Sequence, residues 1–147
     1  IGLGSGVCGT CIVTKHLRPQ TEVIGIQAEG APSVVNTWRT GRWTSSDSVD
    51  TFAEGIATRV PAVMTMEIMQ SLMDDAVLVS DDDLRKAIRY LLDHTHNLAE
   101  GSGAASLAAA LKYKERFEGK KVVGVLSGGN LDIETLHQIL SDTSDGR

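Results

Sequence analysis

Apolar positions along this chain alternate between two rhythms. Short unbroken apolar runs occur at Val23-Ile24-Gly25-Ile26, Ala76-Val77-Leu78-Val79 and Val122-Val123-Gly124-Val125-Leu126. Rich in Val and Ile and closed off by turn residues, they predict buried strands over 22–28, 76–80 and 121–126. Between them the apolar positions fall at helical spacing. Met64, Ile68 and Leu72 mark one amphipathic run over 63–73, and Leu84, Ala87, Ile88, Leu91 and Leu92 mark another after Ser80-Asp81-Asp82-Asp83. Further helices are predicted over 7–17, 31–38 and 133–140. The first is stopped by Arg18-Pro19-Gln20, because the residue before proline avoids helical geometry. Strands that alternate with helices predict an α/β fold whose sheet is mainly parallel, with at least these three strands in it.

The polar positions refine this picture. Serine and three aspartates opening a helix sit where a capping hydroxyl and the helix dipole favour them, and they lack the spacing and glycine of a calcium loop. His94 and His96, two apart near the end of that helix, do not share a face and read as partners of its negative end. The methionines read as core filler rather than as soft-metal ligands. Thr40 to Ser48 reads as loop, and the tryptophan–arginine pairs Trp38-Arg39 and Arg42-Trp43 as local packing or a subunit contact. Glu100-Gly101-Ser102-Gly103-Ala104-Ala105-Ser106 opens a helix of small residues able to lie close to a sheet or cofactor. Residues 141–147 form a polar tail.

Composition narrows the class. In 147 residues, 41% are hydrophobic and 22% charged, the ordinary balance of a globular domain. A net charge of −5 gives no pull toward nucleic acid or an anionic membrane. No apolar run is as long as a bilayer span and no signal-peptide pattern opens the chain, so a cytoplasmic setting is expected. The chain starts without methionine and without a strand ahead of its first turn, which reads as the later part of a longer protein.

That first turn, Ile1 to Gly9, carries four glycines and runs into a helix. Such a turn aims backbone N–H groups and a positive dipole end at one point, a place suited to phosphate. Gly4-Ser5-Gly6-Val7-Cys8-Gly9 also fits the dinucleotide pattern G-x-G-x-x-G, with Glu29 twenty residues beyond Gly9 for a ribose. Cys8-Gly9-Thr10-Cys11 is a C-x-x-C at a helix start, open to redox or metal chemistry. An ordinary strand-to-helix turn with two buried thiols explains the same residues. No Gly-x-Ser-x-Gly elbow supports a hydrolase triad.

Taken together, six segments resemble the fold-type II pyridoxal-phosphate enzymes, and among them the threonine dehydratase and serine racemase group. They are Gly2-Leu3-Gly4-Ser5-Gly6, Val23 to Glu29, Ala53-Glu54-Gly55-Ile56-Ala57, Val77-Leu78-Val79-Ser80-Asp81, Glu100 to Ala105, and Val125-Leu126-Ser127-Gly128-Gly129-Asn130, in the family's order. The resemblance implies a three-layer α/β fold, a mainly parallel twisted sheet with helices on both faces, similar to part of the tryptophan synthase β fold. It implies pyridoxal phosphate as cofactor, with Gly2, Leu3, Gly4, Ser5 and Gly6 at its phosphate, Gly55 close to its ring and Ser127 on its pyridine nitrogen. Glu100 is implied on the substrate side. A serine there makes the ring a weaker electron sink than an aspartate would, which suits loss of water from a hydroxy-amino acid.

Departures from the family pattern shape the expectation. Where cation-binding members carry carboxylates, this chain has Gln27 and Ser33, so no metal site is expected. None of Lys15, Lys86, Lys112, Lys114, Lys120 and Lys121 stands in the Ser-x-Lys-x-Arg-like context of the family's Schiff-base lysine, and the loop for the substrate carboxylate is missing. The chain therefore reads as the C-terminal part of the large domain over 1–140, with no catalytic lysine of its own. It is expected to be inactive alone, to work with a missing N-terminal half in a homo-oligomer, and to meet an amino-acid substrate. The alternatives are an NAD(P)-binding Rossmann-like module and a non-catalytic partner-binding lobe.

Overall fold

A computed structural model describes residues 1–141, and the chain resolves into two compact units, Ile1–Ser80 and a second beginning at Asp81. The end of the polar tail, 142–147, lies outside the described residues.

In the first unit, helix α1 (Ser5–Leu17) is followed by strand β1 (Ile24–Ala28), helix α2 (Ser33–Thr40), a short 3-10 turn at Glu54–Ile56, helix α3 (Val63–Leu72) and strand β2 (Asp75–Val79). β1 and β2 pair in parallel, with Ile24 opposite Asp75 and Ala28 opposite Val79. Parallel neighbours need a long crossover, and residues 29–74 provide it. α1 starts two residues earlier than its expected beginning at Val7, so Ser5 and Gly6 belong to its first turn. α1 packs on α3, and α2 packs on both strands and on α3.

The core of this unit is Cys8, Cys11, Val34, Val35, Met66, Met69 and Met73. Three methionines are thus core filler, as their chemistry implies; of the expected Met64–Ile68–Leu72 stripe, Ile68 and Leu72 pack half-buried against this core and Met64 does not. Met66 and Met69 are buried while Met64 is exposed. The run is apolar on nearly every side, so periodicity alone does not choose the face; contact with α1 does. Trp38 Nε1 donates to the Met69 carbonyl at 3.1 Å and Arg39 Nη2 to the Ala76 carbonyl at 2.7 Å, so this tryptophan–arginine pair fastens α2 to its neighbours. At Gly30 a side chain would run into the Asp50 carbonyl, and Asp50 N–H donates to the Gly30 carbonyl at 2.9 Å, which lays the irregular stretch before residue 53 across the end of β1.

The second unit contains α4 (Asp81–Thr95), α5 (Gly101–Lys112), a single turn α6 (Lys114–Phe117) and α7 (Ile133–Ser141). Leu84, Ala87 and Ile88 are buried where α4 packs on α5. The acidic start of α4 is engaged in ion pairs, Asp82 with Arg85 at 2.8 Å and Asp83 with Lys112 at 2.7 Å.

One expected strand is absent. Residues 121–126 have no strand pairing among the described residues, and Val123 is 91% exposed. A strand exists only where a neighbour takes its N–H and C=O groups, and among the described residues this run has no such pairing. The run lies instead along α5, where Ser106 Oγ donates to the Val125 carbonyl at 3.0 Å. Among the described residues no helix is long and apolar enough to cross a membrane.

Candidate functional site

The glycine turn of the first unit is shaped by close approaches that only glycine permits. A Cβ on Gly2 would stand 2.5 Å from the Gly55 carbonyl oxygen. Gly4 takes φ 102°, a conformation costly for any other residue, and a Cβ there would also meet Thr65 Cβ at 2.8 Å. Thr65 holds the turn from below: its hydroxyl donates to the Leu3 carbonyl at 2.6 Å. Gly25 in β1 leaves room for Ile1 and Met73, and the backbone nitrogen of Ile1 donates to the Ile26 carbonyl, so the turn leaves the flank of the sheet.

What this turn presents outward is a set of N–H donors. The first helical bond of α1 runs from Cys8 N–H to the Gly4 carbonyl at 2.9 Å, so the N–H groups of Ser5, Gly6 and Val7 have no partner within the helix. No side chain caps this end and no carboxylate occupies its first turn. Around a Cβ placed on Gly6 there is open space. An open cleft of about 600 Å³ is lined here by Gly2, Leu3, Ser5, Glu54, Gly55, Ala57, Thr58, Arg59 and Val60. Three of the five predicted turn residues, Gly2, Leu3 and Ser5, therefore share one concavity with Gly55, while Gly4 and Gly6 do not line it; Gly6 stands in the first turn of α1. Thr58 and Arg59, which sequence reasoning left out, belong to the same wall; their signal was that they directly follow Ala53-Glu54-Gly55-Ile56-Ala57.

Two other readings of this stretch do not match the geometry. A redox C-x-x-C needs an accessible, easily ionised thiol, yet Cys8 and Cys11 are buried and burial pushes both thiols up, with the neighbouring Cys8 and Asp74 charges adding to the effect at Cys11. Gly9, the last glycine of the dinucleotide pattern, lies one turn into α1 with open space around it, so it makes none of the close helix packing that pattern asks of it. Gln27 and Ser33 are wholly buried struts: Gln27 Oε1 accepts Val35 N–H at 3.0 Å and Ser33 Oγ donates to the Thr58 carbonyl at 2.5 Å, behind the cleft wall.

In the second unit the small residues of α5 have a specific purpose. A Cβ on Gly103 would overlap the Gly128 carbonyl, one on Gly129 would stand 2.5 Å from the Leu98 carbonyl, and one on Gly124 would meet Ser106 Oγ at 3.0 Å. Residues 124–130 thus lie directly on the start of α5. Glu100 precedes that helix, and its backbone N–H donates to the Gly128 carbonyl at 3.1 Å. Ser127 is exposed, and its hydroxyl makes no hydrogen bond among the described residues, which leaves it available to a ligand atom.

Within the first unit, the glycine turn, with its unpaired N–H groups and no carboxylate in the first turn of α1, and the adjoining wall at Gly55 fit a phosphate-bearing cofactor. Residues 1–128 match the sequence model of the family described as pyridoxal-phosphate dependent enzyme. The chain is 36% identical to the L-threonine ammonia-lyase of Thermotoga maritima, over 96% of its own length and 35% of the relative's. It superposes on the processed threonine deaminase isoform 2 of Solanum lycopersicum with a TM-score of 0.89 at 33% identity, covering 95% of this chain and 39% of that one. For maize serine racemase the TM-score is 0.85 at 27% identity, covering 95% and 44%. The chain thus spans between about a third and a half of the length of these relatives.

Proposed function

Because the chain belongs to the pyridoxal-phosphate dependent enzyme family, we propose that it supplies the cofactor-holding portion of an ammonia-lyase that converts a hydroxy-amino acid, threonine or serine, into a 2-oxo acid and ammonia. The observation that carries this reading is the glycine turn, whose unpaired N–H groups at Ser5, Gly6 and Val7 open beside Gly55 with no acidic side chain in the first helical turn. Gly2, Leu3, Gly4, Ser5 and Gly6 would hold the cofactor phosphate, Gly55 would border the ring, and Ser127 would hydrogen-bond the pyridine nitrogen. When bound, the cofactor supplies an electron sink for the bond-breaking step. A neutral serine hydroxyl keeps that sink modest, which suits a reaction in which the departing hydroxyl carries electrons away.

In this reading residues 1–140 are the C-terminal part of a large cofactor-binding domain. The anchoring lysine, the loop for the substrate carboxylate and the rest of the fold belong to an N-terminal half of the full-length protein, which works as a homo-oligomer in the cytoplasm. The test is a titration of the chain with pyridoxal phosphate and, separately, NAD, followed by cofactor absorbance and fluorescence, with inorganic phosphate as competitor. Saturable pyridoxal-phosphate binding that phosphate displaces supports the reading. Binding of NAD without pyridoxal phosphate overturns it.

A further inference from the structure

The Glu100 carboxylate is held by two donors of this chain. Its Oε1 accepts the Ser102 hydroxyl at 2.7 Å, and its Oε2 accepts the backbone N–H of Asn130 at 3.1 Å. The same residue's N–H bonds the Gly128 carbonyl at 3.1 Å. A Cβ on Gly128 would stand 2.8 Å from Oε1, so the carboxylate lies directly against the loop at Gly128. Both carboxylate oxygens are therefore committed to donors on this chain, one of them thirty residues away.

Ser127 sits at the near end of the loop so gripped. Its direction is set by the main chain it hangs from, and that main chain is tied on one side by Ser106 to Val125 and on the other by Glu100 to Gly128 and Asn130. We propose that Glu100 is a positioning residue: its carboxylate fixes the Ser127–Asn130 turn and through it the aim of the Ser127 hydroxyl. What that hydroxyl meets rests on the function proposed above; the clamp itself does not.

Three variants separate clamping from charge or proton transfer. In Glu100→Gln the amide oxygen still accepts Asn130 N–H and the amide nitrogen donates to Ser102, whose hydroxyl turns to accept. Glu100→Asp keeps the charge but is one methylene too short to reach Asn130, and Glu100→Ala removes both bonds. Backbone amide exchange is measured by NMR on the cofactor-free chain, with far-ultraviolet circular dichroism to confirm folding. Exchange at Asn130 rises about tenfold in Glu100→Asp and Glu100→Ala, as loss of a charge-assisted hydrogen bond predicts, and stays within about twofold of the parent in Glu100→Gln. Pyridoxal-phosphate affinity follows the same order, and adding Ser127→Ala to Glu100→Asp costs no more than Ser127→Ala alone. Unchanged exchange in Glu100→Asp, or a Gln variant as loose as the Ala variant, overturns the clamp; additive losses in the double variant overturn its action through Ser127. A parent chain that binds no pyridoxal phosphate sinks the proposed function, while the exchange data still decide the clamp.

Discussion

Gly2 packs against the backbone of Gly55: a methyl group on the first would sit 2.5 Å from the carbonyl oxygen of the second, well inside van der Waals contact. This contact brings the 3-10 turn at Glu54–Ile56 against the glycine turn and makes one wall of them. Replacing Gly2 by alanine forces that wall apart. Gly2→Ala is expected to cost about 1–3 kcal/mol of stability, the usual range for overpacking, and to abolish phosphate-competed binding of pyridoxal phosphate. Urea unfolding and the cofactor titration check the two effects separately.

Gly6 and Gly9 both lie in α1 with open space where a side chain would go. Alanine is the better helix former, so each substitution is expected to stabilise the fold by about 0.5–1 kcal/mol. They part company in function. Gly6 is in the first turn, beside the unpaired donors, and its methyl group would occupy the space an anion needs; Gly9 is one turn further on. Gly6→Ala should lose phosphate binding while Gly9→Ala keeps it, and equal binding by both would place the anion elsewhere.

The turn was legible because glycine spacing records backbone demands directly, and the two paired strands were legible because their apolar runs are short and cleanly bounded. Segment 121–126 has the same local pattern but makes no strand pairing among the described residues, and pairing is a property of two segments rather than one. The face of α3 was legible in part: Ile68 and Leu72 pack against the core as their spacing implies, but apolar residues lie on most sides of that helix, and contact with α1 buries Met66 and Met69 while leaving Met64 exposed. Least legible was the Glu100–Asn130 bond, since its partner is a backbone N–H, which every residue but proline has. The small residues of α5 gave the only hint, and they spoke of close approach without saying to what.

Lys15 and Asp74 tie the end of α1 to the start of both strands. Lys15 Nζ lies 2.8 and 2.6 Å from the two Asp74 oxygens and also donates to the Thr21 carbonyl at 2.9 Å, while Val23 N–H donates to Asp74 Oδ2 at 2.6 Å. Desolvation works against the Asp74 anion, but the hydrogen bonds from Lys15 and Val23 and the lysine charge outweigh it, and the carboxyl is held below its usual range. A lowered folded value means stability that is present above the unfolded carboxylate value, about 3.9, and is lost as pH falls through the folded one. The pair is partly exposed, so the effect is modest. Denaturant midpoints measured from pH 6 to pH 3 should fall less steeply in Asp74→Asn than in the parent. Asp74→Ala, which leaves Val23 N–H without its acceptor, should cost about 1 kcal/mol at neutral pH.

Cys8 and Cys11 should behave as core residues. Cys11 is fully buried and Cys8 nearly so, Cys8 Sγ points to the Thr65 carbonyl at 3.4 Å, and burial holds both thiols in the protonated, unreactive form. Alkylation by iodoacetamide at neutral pH is therefore expected to run at least about tenfold slower than for an unfolded control and to reach both thiols only in denaturant. Rapid modification of the native chain, or ready closure of a Cys8–Cys11 disulfide, would revive the redox reading.

The chain alone should not turn over threonine or serine, and the positions of its lysines say why. Lys15 is near the far end of α1, about 15 Å of helix rise beyond the glycine turn, with its ammonium held by Asp74. Lys112 ends α5, a similar distance beyond Glu100, and is paired with Asp83. Lys114, Lys120 and Lys121 are exposed, and none of these, nor Lys86 on α4, follows the family's lysine pattern. Without an amine fixed at the reacting carbon to hold cofactor and move the α-proton, the advantage of proximity is lost, which amounts to about 7–11 kcal/mol of barrier. Release of 2-oxo acid from L-threonine or L-serine is expected at the rate given by pyridoxal phosphate in buffer, and to rise when a separately expressed N-terminal half is added. Turnover by the chain by itself that disappears on replacing one of its six lysines would show that the amine is here after all.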